Sequence, residues 1–409
     1  MTVTDSVPFF NPLEPGYIAD PYPHLAEMRD HAPVQQTLAG PWAVFRHADV
    51  FRVLRDPTLS VDDANADIDD SERAALFDDL VAEFGISDDN HSILNTDPPD
   101  HTRLRRLVSK AFTPRAIEAL RPRIQQLVDA ALDRMARTGR ADVVDELAFP
   151  LPFDVISEML GMPEADKDLI RDWSGAMVKT LDPIISEAEA RAAFAAARQM
   201  DQHIDQVIEW KRANPSDDLL TALIDVEDDG DRLSAIELRD QVVLLFIAGH
   251  ETTVNLIGTG IHVLLGEPEQ RERWRCDPSV EANAVDELLR YIAPVQFSRR
   301  IATADLEIDG VVIPEGSFVL TCLASANRDP AFWGPSADRL QLDREGAGQH
   351  VSFGSGAHYC LGASLAKLEG QLAIGSFIRR FPDATVVGEP EWNGRINLRG
   401  LETLIVDVA

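Results

Sequence analysis

Residues 353–363 read Phe-Gly-Ser-Gly-Ala-His-Tyr-Cys-Leu-Gly-Ala, and this segment carries more information than any other in the 409-residue chain. Glycines on both sides of Cys360 let the backbone turn with positive φ or approach another group closely. Leucine recurs behind the cysteine at helical spacing, at Leu361, Leu365, Leu368 and Leu372. The pattern predicts that Cys360 lies at a helix N-terminus, where the dipole and free N–H groups favour a thiolate. Such a thiolate suits an axial metal ligand with a flat partner, and the alternative is an inert buried cysteine beside a loop.

A second segment lies inside a long predicted helix. Residues 234–237, Ser-Ala-Ile-Glu, form a capping-box signature, and the apolar pattern then continues to Gly266. This predicts a helix of about 33 residues, about 50 Å long. A soluble helix that is apolar over most of its circumference is expected to cross the middle of the fold.

The long helix contains an unusual polar stretch, Ala248-Gly-His-Glu-Thr-Thr253. Leu245, Ala248 and Thr252 share one face by their spacing, and Glu251 lies about 100° away. A threonine hydroxyl can bond a carbonyl one turn back, which we expect to open the helix locally. An acid and an alcohol placed there can pass protons to a buried site, and the alternative is a polar notch that holds a water molecule.

The remaining pattern indicates a mainly α protein with minor β structure. Residues 98–266 are helical in pattern, and residues 116–136 and 186–212 within them have few breakers. After Ile292 the sequence pattern changes from helical to β-type. Two short apolar runs flank Asp309-Gly310 and predict a tight hairpin over residues 306–313. A further strand is expected over residues 317–322, and short β-type runs recur near the C-terminus.

Composition excludes several classes of function. Lys and Arg total 38 against 69 Asp and Glu, which gives a formal net charge of −31. Nucleic acid and anionic membranes repel such a surface. Three cysteines without a Cys-x-x-Cys spacing make neither a disulfide framework nor a zinc finger. We expect a cytoplasmic protein without signal peptide or membrane span, because the longest apolar run, residues 242–249, is far shorter than the roughly 20 residues that a span needs.

On these residues the chain resembles the cytochrome P450 family, in its soluble bacterial branch. The resemblance runs from about His101 to the C-terminus, with the motifs in the family's order. It implies one haem domain over residues 1–409, with a triangular helical fold, a long central helix and small β-sheets. The cofactor implied is heme b, iron protoporphyrin IX, with Cys360 as its iron ligand. Other residues expected to contact the haem are Phe353, Gly354, Gly362 and Ala248.

The resemblance also implies partners for the two haem propionates, which need cationic or hydrogen-bonding groups when they are buried. Residues 97–106, Asp-Pro-Pro-Asp-His-Thr-Arg-Leu-Arg-Arg, match the family's haem-edge helix, so His101 and Arg105 are candidates. Arg300 matches the strand arginine with the same role, and Arg299 is its neighbouring alternative. His358 is the fourth candidate. Each could instead be an ordinary surface cation.

A Glu-x-x-Arg pair occurs at Glu287 and Arg290. Such pairs usually lie on a helix surface and contribute well under about 1 kcal/mol. The resemblance implies instead a buried structural network, completed by an arginine from residues 337–340, Ala-Asp-Arg-Leu. Arg339 is the expected third member, although Ala337 and Leu340 depart from the family's usual Pro and Phe.

The function implied is that of a haem–thiolate monooxygenase. It would hydroxylate a hydrophobic small molecule with O₂ and two electrons, and Thr252 and Glu251 would deliver protons. No flavin or iron–sulfur segment is evident, so a separate ferredoxin and its NAD(P)H-dependent reductase are the expected partners of a monomer. The expected dock is a local basic patch formed by Arg103, Arg106, Lys110, Arg115 and Lys367.

The substrate pocket is expected to be apolar and is less well specified. Candidate lining residues are Leu245, Ala248, Thr252, Val295, Gln296 and Phe297, with residues 173–195 as a mobile lid. Gln296 could equally cap a turn and never meet substrate. Rival functions are a haem sensor or electron-transfer protein, a peroxide-using enzyme, an isomerase or dehydratase, and a helical protein without haem.

Overall fold

A computed structural model of the chain describes residues 8–67, 72–85, 91–110, 112–163, 167–228 and 231–409. The structure is mainly helical with short strands, which confirms the predicted fold class. The helices are α1 Tyr22–His31, α2 His47–Arg55, α3 Glu72–Phe84, α4 Asp100–Ser109, α5 Pro114–Ala119, α6 Arg121–Thr138, α7 Pro150–Met159, α8 Lys167–Met177, α9 Glu187–Ala213, α10 Leu219–Asp225, α11 Ala235–Gly266, α12 Pro268–Cys276, α13 Glu281–Ile292, α14 Leu323–Ala326, α15 Pro330–Trp333 and α16 Ala363–Arg380. The strands are β1 Val34–Gln36, β2 Trp42–Val44, β3 Arg140–Asp142, β4 Glu227–Asp228, β5 Asp231–Arg232, β6 Phe297–Ile301, β7 Leu306–Ile308, β8 Val311–Ile313, β9 Phe318–Cys322, β10 Thr385–Val386, β11 Glu391–Trp392, β12 Leu401–Thr403 and β13 Ile405–Asp407.

The contacts of the chain divide it into two compact units. The first unit comprises Met1–Asp67, Asn283–Cys360 and Trp392–Arg399, and the second comprises Ile68–Ala282, Leu361–Glu391 and Gly400–Ala409. A single haem domain over residues 1–409 therefore stays a prediction.

The first unit is built on a four-stranded sheet in the order β1-β2-β9-β6. β2 and β9 are parallel, while β6 pairs antiparallel with β9 from Phe297–Cys322 to Ile301–Phe318. α2 packs on β9, and α14 packs on both α1 and α2. The predicted hairpin is confirmed: β7 and β8 pair antiparallel, and Asp309 and Gly310 have φ of 51° and 77°, the left-handed conformation that a tight type I′ turn requires.

The second unit is a helical assembly around α11. This helix packs against α7, α9 and α16, and its apolar side chains join the core that those helices form. The predicted capping box is confirmed, since the Ser234 hydroxyl accepts the N–H of Glu237 and the Glu237 carboxylate accepts the N–H of Ser234. The helix has 32 residues, against the predicted 33 or so. The capping box therefore correctly predicts where α11 begins.

α11 is also long and apolar enough to cross a membrane by length and composition alone. It is the one helix with these properties in the ranges given above, and 67% of its most apolar window is buried inside the protein. Burial of that kind is typical of a core helix.

Candidate active site

The segment that leads to Cys360 is a loop in the first unit, closed by its own main chain. The N–H of Cys360 donates to the carbonyl of Phe353 at 2.9 Å, and the N–H of Gly354 donates to Val351 at 2.8 Å. Gly356 has φ of 74°, and a Cβ on it would lie 2.9 Å from the Leu54 carbonyl oxygen. Only glycine fits there, because both backbone conformation and space exclude a side chain. The loop thus presents a half-buried Cys360 in a defined backbone frame.

The helix behind the cysteine begins slightly later than the leucine pattern indicates. α16 starts at Ala363 with Gly362 as its N-cap, so Cys360 precedes the helix rather than occupying its first turn. Gly362 has an ordinary φ of −82°, and a Cβ on it would meet no heavy atom of the described residues within 4 Å. Neither strain nor packing within the protein explains glycine at this position. A flat group lying against the backbone would explain it.

Behind the loop, Glu287 and Arg290 of α13 are completely buried. Arg290 donates twice to the Glu287 carboxylate, at 2.7 and 2.9 Å. Its other bonds go to the carbonyl oxygens of Asn327, Ala337 and Arg339, at 2.7–2.9 Å. All five N–H donors of the guanidinium are therefore used. Burial lowers the pKa of Arg290, and the hydrogen bonds that it donates to the Glu287 carboxylate oppose that shift.

The third charged member of this network is Arg344, and the prediction of Arg339 is corrected. Arg344 Nε lies 3.0 and 3.1 Å from the two Glu287 oxygens. Arg339 contributes only its carbonyl oxygen, to Arg290 and Arg344, and its side chain is exposed. The reason is local geometry. The chain turns through residues 336–341, so the backbone of Arg339 faces inward while Arg344, five residues later, directs its guanidinium at the buried carboxylate.

The network reaches the cysteine loop through Asn327. Its carbonyl accepts from Arg290, while its side-chain amide donates to Ser352 Oγ at 2.7 Å and accepts the N–H of Val351 at 2.8 Å. Ser352 in turn donates to the Leu289 carbonyl at 2.7 Å. The buried charges therefore hold the start of the cysteine loop against α13.

The cations predicted to meet a haem carboxylate lie in both units. In the first unit, Arg300 is 4% exposed and donates to the carbonyl of Leu54 at 3.3 Å, the same carbonyl that excludes a side chain from Gly356. Arg300 therefore lies beside the cysteine loop. Arg299, the alternative, forms an exposed ion pair with Asp63 at 2.7 Å. His358 is half-buried within the loop's own turn.

In the second unit, His101 and Arg105 lie one turn apart on α4. His101 is buried and Arg105 is half-buried. Burial lowers the pKa of His101, the charge of Arg105 lowers it further, and Asp97 acts in the opposite direction. A neutral imidazole next to a guanidinium can offer one N–H donor and one charge to an anion.

The polar stretch of α11 contains an exposed position in the middle of a mostly buried helix. Ala248 is exposed and Thr252 is half-buried, whereas Leu245 and Leu256 on the same face are 9% and 1% exposed. The Thr252 hydroxyl donates to the Ala248 carbonyl at 2.9 Å, as predicted. The predicted local opening is not present, because α11 is continuous through this segment. The exposure of this segment therefore results from small side chains and not from a break in the helix.

Glu251 points away from that exposed position. It is 7% exposed, and its Oε1 accepts from the hydroxyl of Ser174 on α8 at 3.2 Å. His250 Nδ1 lies 3.9 Å from the same oxygen. The sequence reasoning did not identify Ser174, since a hydrogen bond across 77 residues leaves no local pattern.

Two of the predicted pocket residues lie inside the first unit's core. Gln296 is fully buried, and its amide donates to the carbonyls of Ile292 and Ala293. These hydrogen bonds match the alternative in which Gln296 caps a turn. Phe297 is 4% exposed and packs against Phe10. Both side chains are therefore packed within the first unit, while Val295 is half-buried, and a role of the three in a pocket stays a prediction.

The structure thus collects the predicted residues in two groups. The first unit holds Cys360, Phe353, Gly354, His358, Arg300, Glu287 and Arg290, and the second holds His101, Arg105, Leu245, Ala248, Glu251, Thr252 and Gly362. Residues that the sequence reasoning missed are Arg344, Asn327 and Ser174.

Comparison with known proteins identifies this arrangement. The family model described as Cytochrome P450 matches residues 69–277 and 281–391. The chain is 43% identical over 413 residues to "Cytochrome P450 107B1" of Saccharopolyspora erythraea, covering 98% of each. It is 42% identical to "Vitamin D(3) 25-hydroxylase" of Pseudonocardia autotrophica, over 91% of this chain and 89% of the relative. The structure of the Bacillus subtilis bacillaene polyketide synthase cytochrome P450 PksS superposes with a TM-score of 0.87 at 36% identity, covering 98% of this chain and all of that one. Matches over nearly the full length of both chains show that this protein belongs to the cytochrome P450 family and is a haem–iron monooxygenase of the bacterial type, an oxidoreductase.

Proposed function

We propose that this enzyme hydroxylates a hydrophobic molecule of the polyketide or steroid type, using O₂ and two electrons supplied by a separate ferredoxin and reductase. The observation that carries the proposal is the main-chain-closed loop that ends at the half-buried Cys360. The side chains of Glu287 and Arg290, which are completely buried, support that loop through Asn327 and Ser352. A loop held so rigidly fits a ligand whose position governs reactivity.

The residues present fit heme b. Cys360 would ligate the iron, and Gly362 leaves open space where a flat ring could lie. The residues proposed to meet the propionates are those that the family resemblance implies, Arg300, His358, His101 and Arg105. When bound, a thiolate-ligated haem supplies the oxidising power for cleaving dioxygen and attacking a C–H bond.

The chain's own contribution is to position protons and to exclude water. Because the Thr252 hydroxyl gives its proton to the Ala248 carbonyl, its oxygen is left to accept a hydrogen bond on the open side of α11. Glu251 lies on the neighbouring face, almost completely buried, where it can hold a proton out of contact with bulk water. The proposed roles are therefore acceptor and orienter for Thr252 and proton carrier for Glu251.

The substrate class is inferred from relatives and from the open face of α11. Two of the similar proteins have names that state a role, one in the hydroxylation of vitamin D₃ and one in polyketide biosynthesis. Leu245 and Ala248 offer only apolar surface. A large, mostly apolar substrate fits both facts.

Enzymes of this family take electrons from redox partners, and we propose a ferredoxin with its NAD(P)H-dependent reductase, acting on a cytoplasmic monomer of one haem domain. The proposed dock is the predicted basic patch of Arg103, Arg106, Lys110, Arg115 and Lys367. Within it, Arg103 forms ion pairs with Glu237, Asp231 and Asp100.

Thr252→Ala tests the proton-delivery role directly. We expect NAD(P)H consumption to continue while product per electron falls about tenfold or more, because dioxygen is activated without ordered protons. Thr253→Ala is the matched control, since the Thr253 hydroxyl bonds Gly249 in the same way but is buried on the other side of the helix. Equal product per electron in the two variants would contradict the role of Thr252. Turnover supported by peroxide but not by reduced ferredoxin and O₂ would favour the peroxide-using alternative.

A further inference from the structure

The Ser174 hydroxyl lies between two acceptors and has only one proton to give. Its Oγ is 3.2 Å from Glu251 Oε1 and 3.1 Å from the carbonyl oxygen of Arg171, one turn back on α8. Ser174 is completely buried, so water does not compete for the hydroxyl. Which acceptor receives the proton must therefore depend on the state of the carboxyl group.

Both protonation states of Glu251 form a closed set of hydrogen bonds with this hydroxyl. When Glu251 is ionised, Ser174 donates to Oε1, and the Arg171 carbonyl keeps its helical hydrogen bond alone. When Glu251 is protonated, its O–H donates to Ser174 Oγ, and the serine proton turns to the Arg171 carbonyl. A hydroxyl can donate in one state and accept in the other, so the Ser174 hydroxyl can keep a hydrogen bond to the carboxyl in both states.

The charged groups nearby do not take over this role. On α11 itself, His250 Nδ1 is 3.9 Å from Oε1, beyond hydrogen-bond distance. On α8, the Arg171 guanidinium is directed to Asp145 at 3.1 Å and lies 4.1 Å from the centre of the Phe149 ring. Ser174 contacts the acid from α8 through its hydroxyl.

We propose that Ser174 is a positioning residue for Glu251, which stabilises the carboxyl in both protonation states and ties its orientation to α8. The inference rests on the proposed role of Glu251 as proton carrier. Ser174 lies at the start of residues 173–195, the segment predicted to form the lid, and α8 runs on into the turn Val178–Leu181. A displacement of α8 would withdraw the donor, so the acid is held in place only when α8 is seated against α11.

Infrared titration of the Glu251 carboxyl tests the positioning role without any turnover. The C=O band of Glu251 is assigned by its loss in Glu251→Gln and is followed against pH in wild type, Ser174→Ala and Ser157→Ala. We expect Ser174→Ala to shift the C=O band, because the protonated carboxyl loses the hydroxyl oxygen that accepts its hydrogen bond and the ionised carboxyl loses its donor. Ser157 is the matched control, a half-buried serine on α7. An unchanged band in Ser174→Ala would overturn the proposal.

A double-mutant comparison separates this inference from the proposed function. Product per electron should fall about threefold to tenfold in Ser174→Ala, and should fall no further when Ser174→Ala is added to Glu251→Gln. Additive losses would overturn the proposal, because Ser174 would then act independently of Glu251. Failure of the Thr252→Ala test would contradict proton delivery as proposed, yet would leave the infrared result on Ser174 unaffected.

Discussion

Arg290 illustrates how a buried charge is accommodated in this protein. Removing ions from water costs several kcal/mol for each, and the cost is offset only when every donor and lone pair finds a partner. Arg290 meets this condition with five hydrogen bonds, and Glu287 does so with Arg290, Arg344 and the N–H of Gln341. The network defines the local conformation, because carbonyl oxygens from two separate backbone segments, Asn327 and residues 337–339, converge on one guanidinium.

The correction from Arg339 to Arg344 gives a residue-scale prediction. Arg344→Met should lower the free energy of unfolding by about 2–4 kcal/mol, because the Glu287 charge stays buried with one of its two cationic partners removed. Arg339→Met should change it by less than about 0.5 kcal/mol, since that side chain is exposed. Urea unfolding of the two variants measures both values. Equal losses would contradict the assignment.

At the scale of elements, the junction of α9 and α11 carries more acids than bases. Asp201 and Asp205 of α9 and Asp240 of α11 surround Arg239, whose nitrogens lie 3.9, 3.7 and 3.5 Å from their respective oxygens. The N–H of His91 donates to Asp240 at 2.9 Å. Burial, followed by the neighbouring charges, raises the pKa of Asp201 to about 6, with Arg239 and Arg198 acting in the opposite direction.

The sign of the resulting pH dependence follows from this shift. Between the ordinary value of 3.8 and about 6, the native state binds more protons than the unfolded state. Stability therefore falls as pH rises through that window and is then constant with respect to this group. Asp201→Asn should remove the slope, so the variant should exceed wild type by about 1–2 kcal/mol at pH 7.5 and equal it near pH 4. Asp205→Asn, at a more exposed position, is the control. Parallel unfolding curves for wild type and Asp201→Asn from pH 4 to pH 7.5 would contradict the account.

Elements with local signals could be predicted from the sequence, and contacts between distant segments could not. The cap at Ser234 and the turn at Asp309-Gly310 appear in the structure where their residue types place them, because a few adjacent residues determine each. Arg344 and Ser174 depend on partners 57 and 77 residues away, and no periodicity records such a meeting. Gln296 illustrates the same limit. An amide beside a helix end can cap a turn or face a ligand, and the neighbouring sequence is the same in both cases.

At the scale of the whole molecule, the net charge of −31 affects how the protein meets the proposed ferredoxin, since such ferredoxins are usually acidic. Long-range repulsion must be overcome by a local basic surface, and the attraction weakens with salt. Arg106 is an exposed member of that surface on α4. Arg106→Glu should slow reduction by ferredoxin about threefold to tenfold at low salt and flatten the salt dependence.

A control variant separates the local effect from that of net charge. Arg212→Glu on α9 produces the same change in net charge at an exposed arginine that already pairs with Glu209. It should leave the reduction rate nearly unchanged. Stopped-flow reduction of both variants over a range of salt concentrations makes the comparison, and equal slowing would show that Arg106 has no special place in docking.

The most direct test of the central claim, that Cys360 ligates the haem as a thiolate, is the absorption spectrum of the dithionite-reduced protein under carbon monoxide. The three cysteines provide their own controls, because Cys276 is exposed and burial raises the pKa of Cys322 to about 12. Wild type, Cys276→Ser and Cys322→Ser should share a strongly red-shifted Soret band, and Cys360→Ser should lose it. A red-shifted band that survives in Cys360→Ser, or a wild-type band at the position typical of imidazole or thiol ligation, would contradict the account.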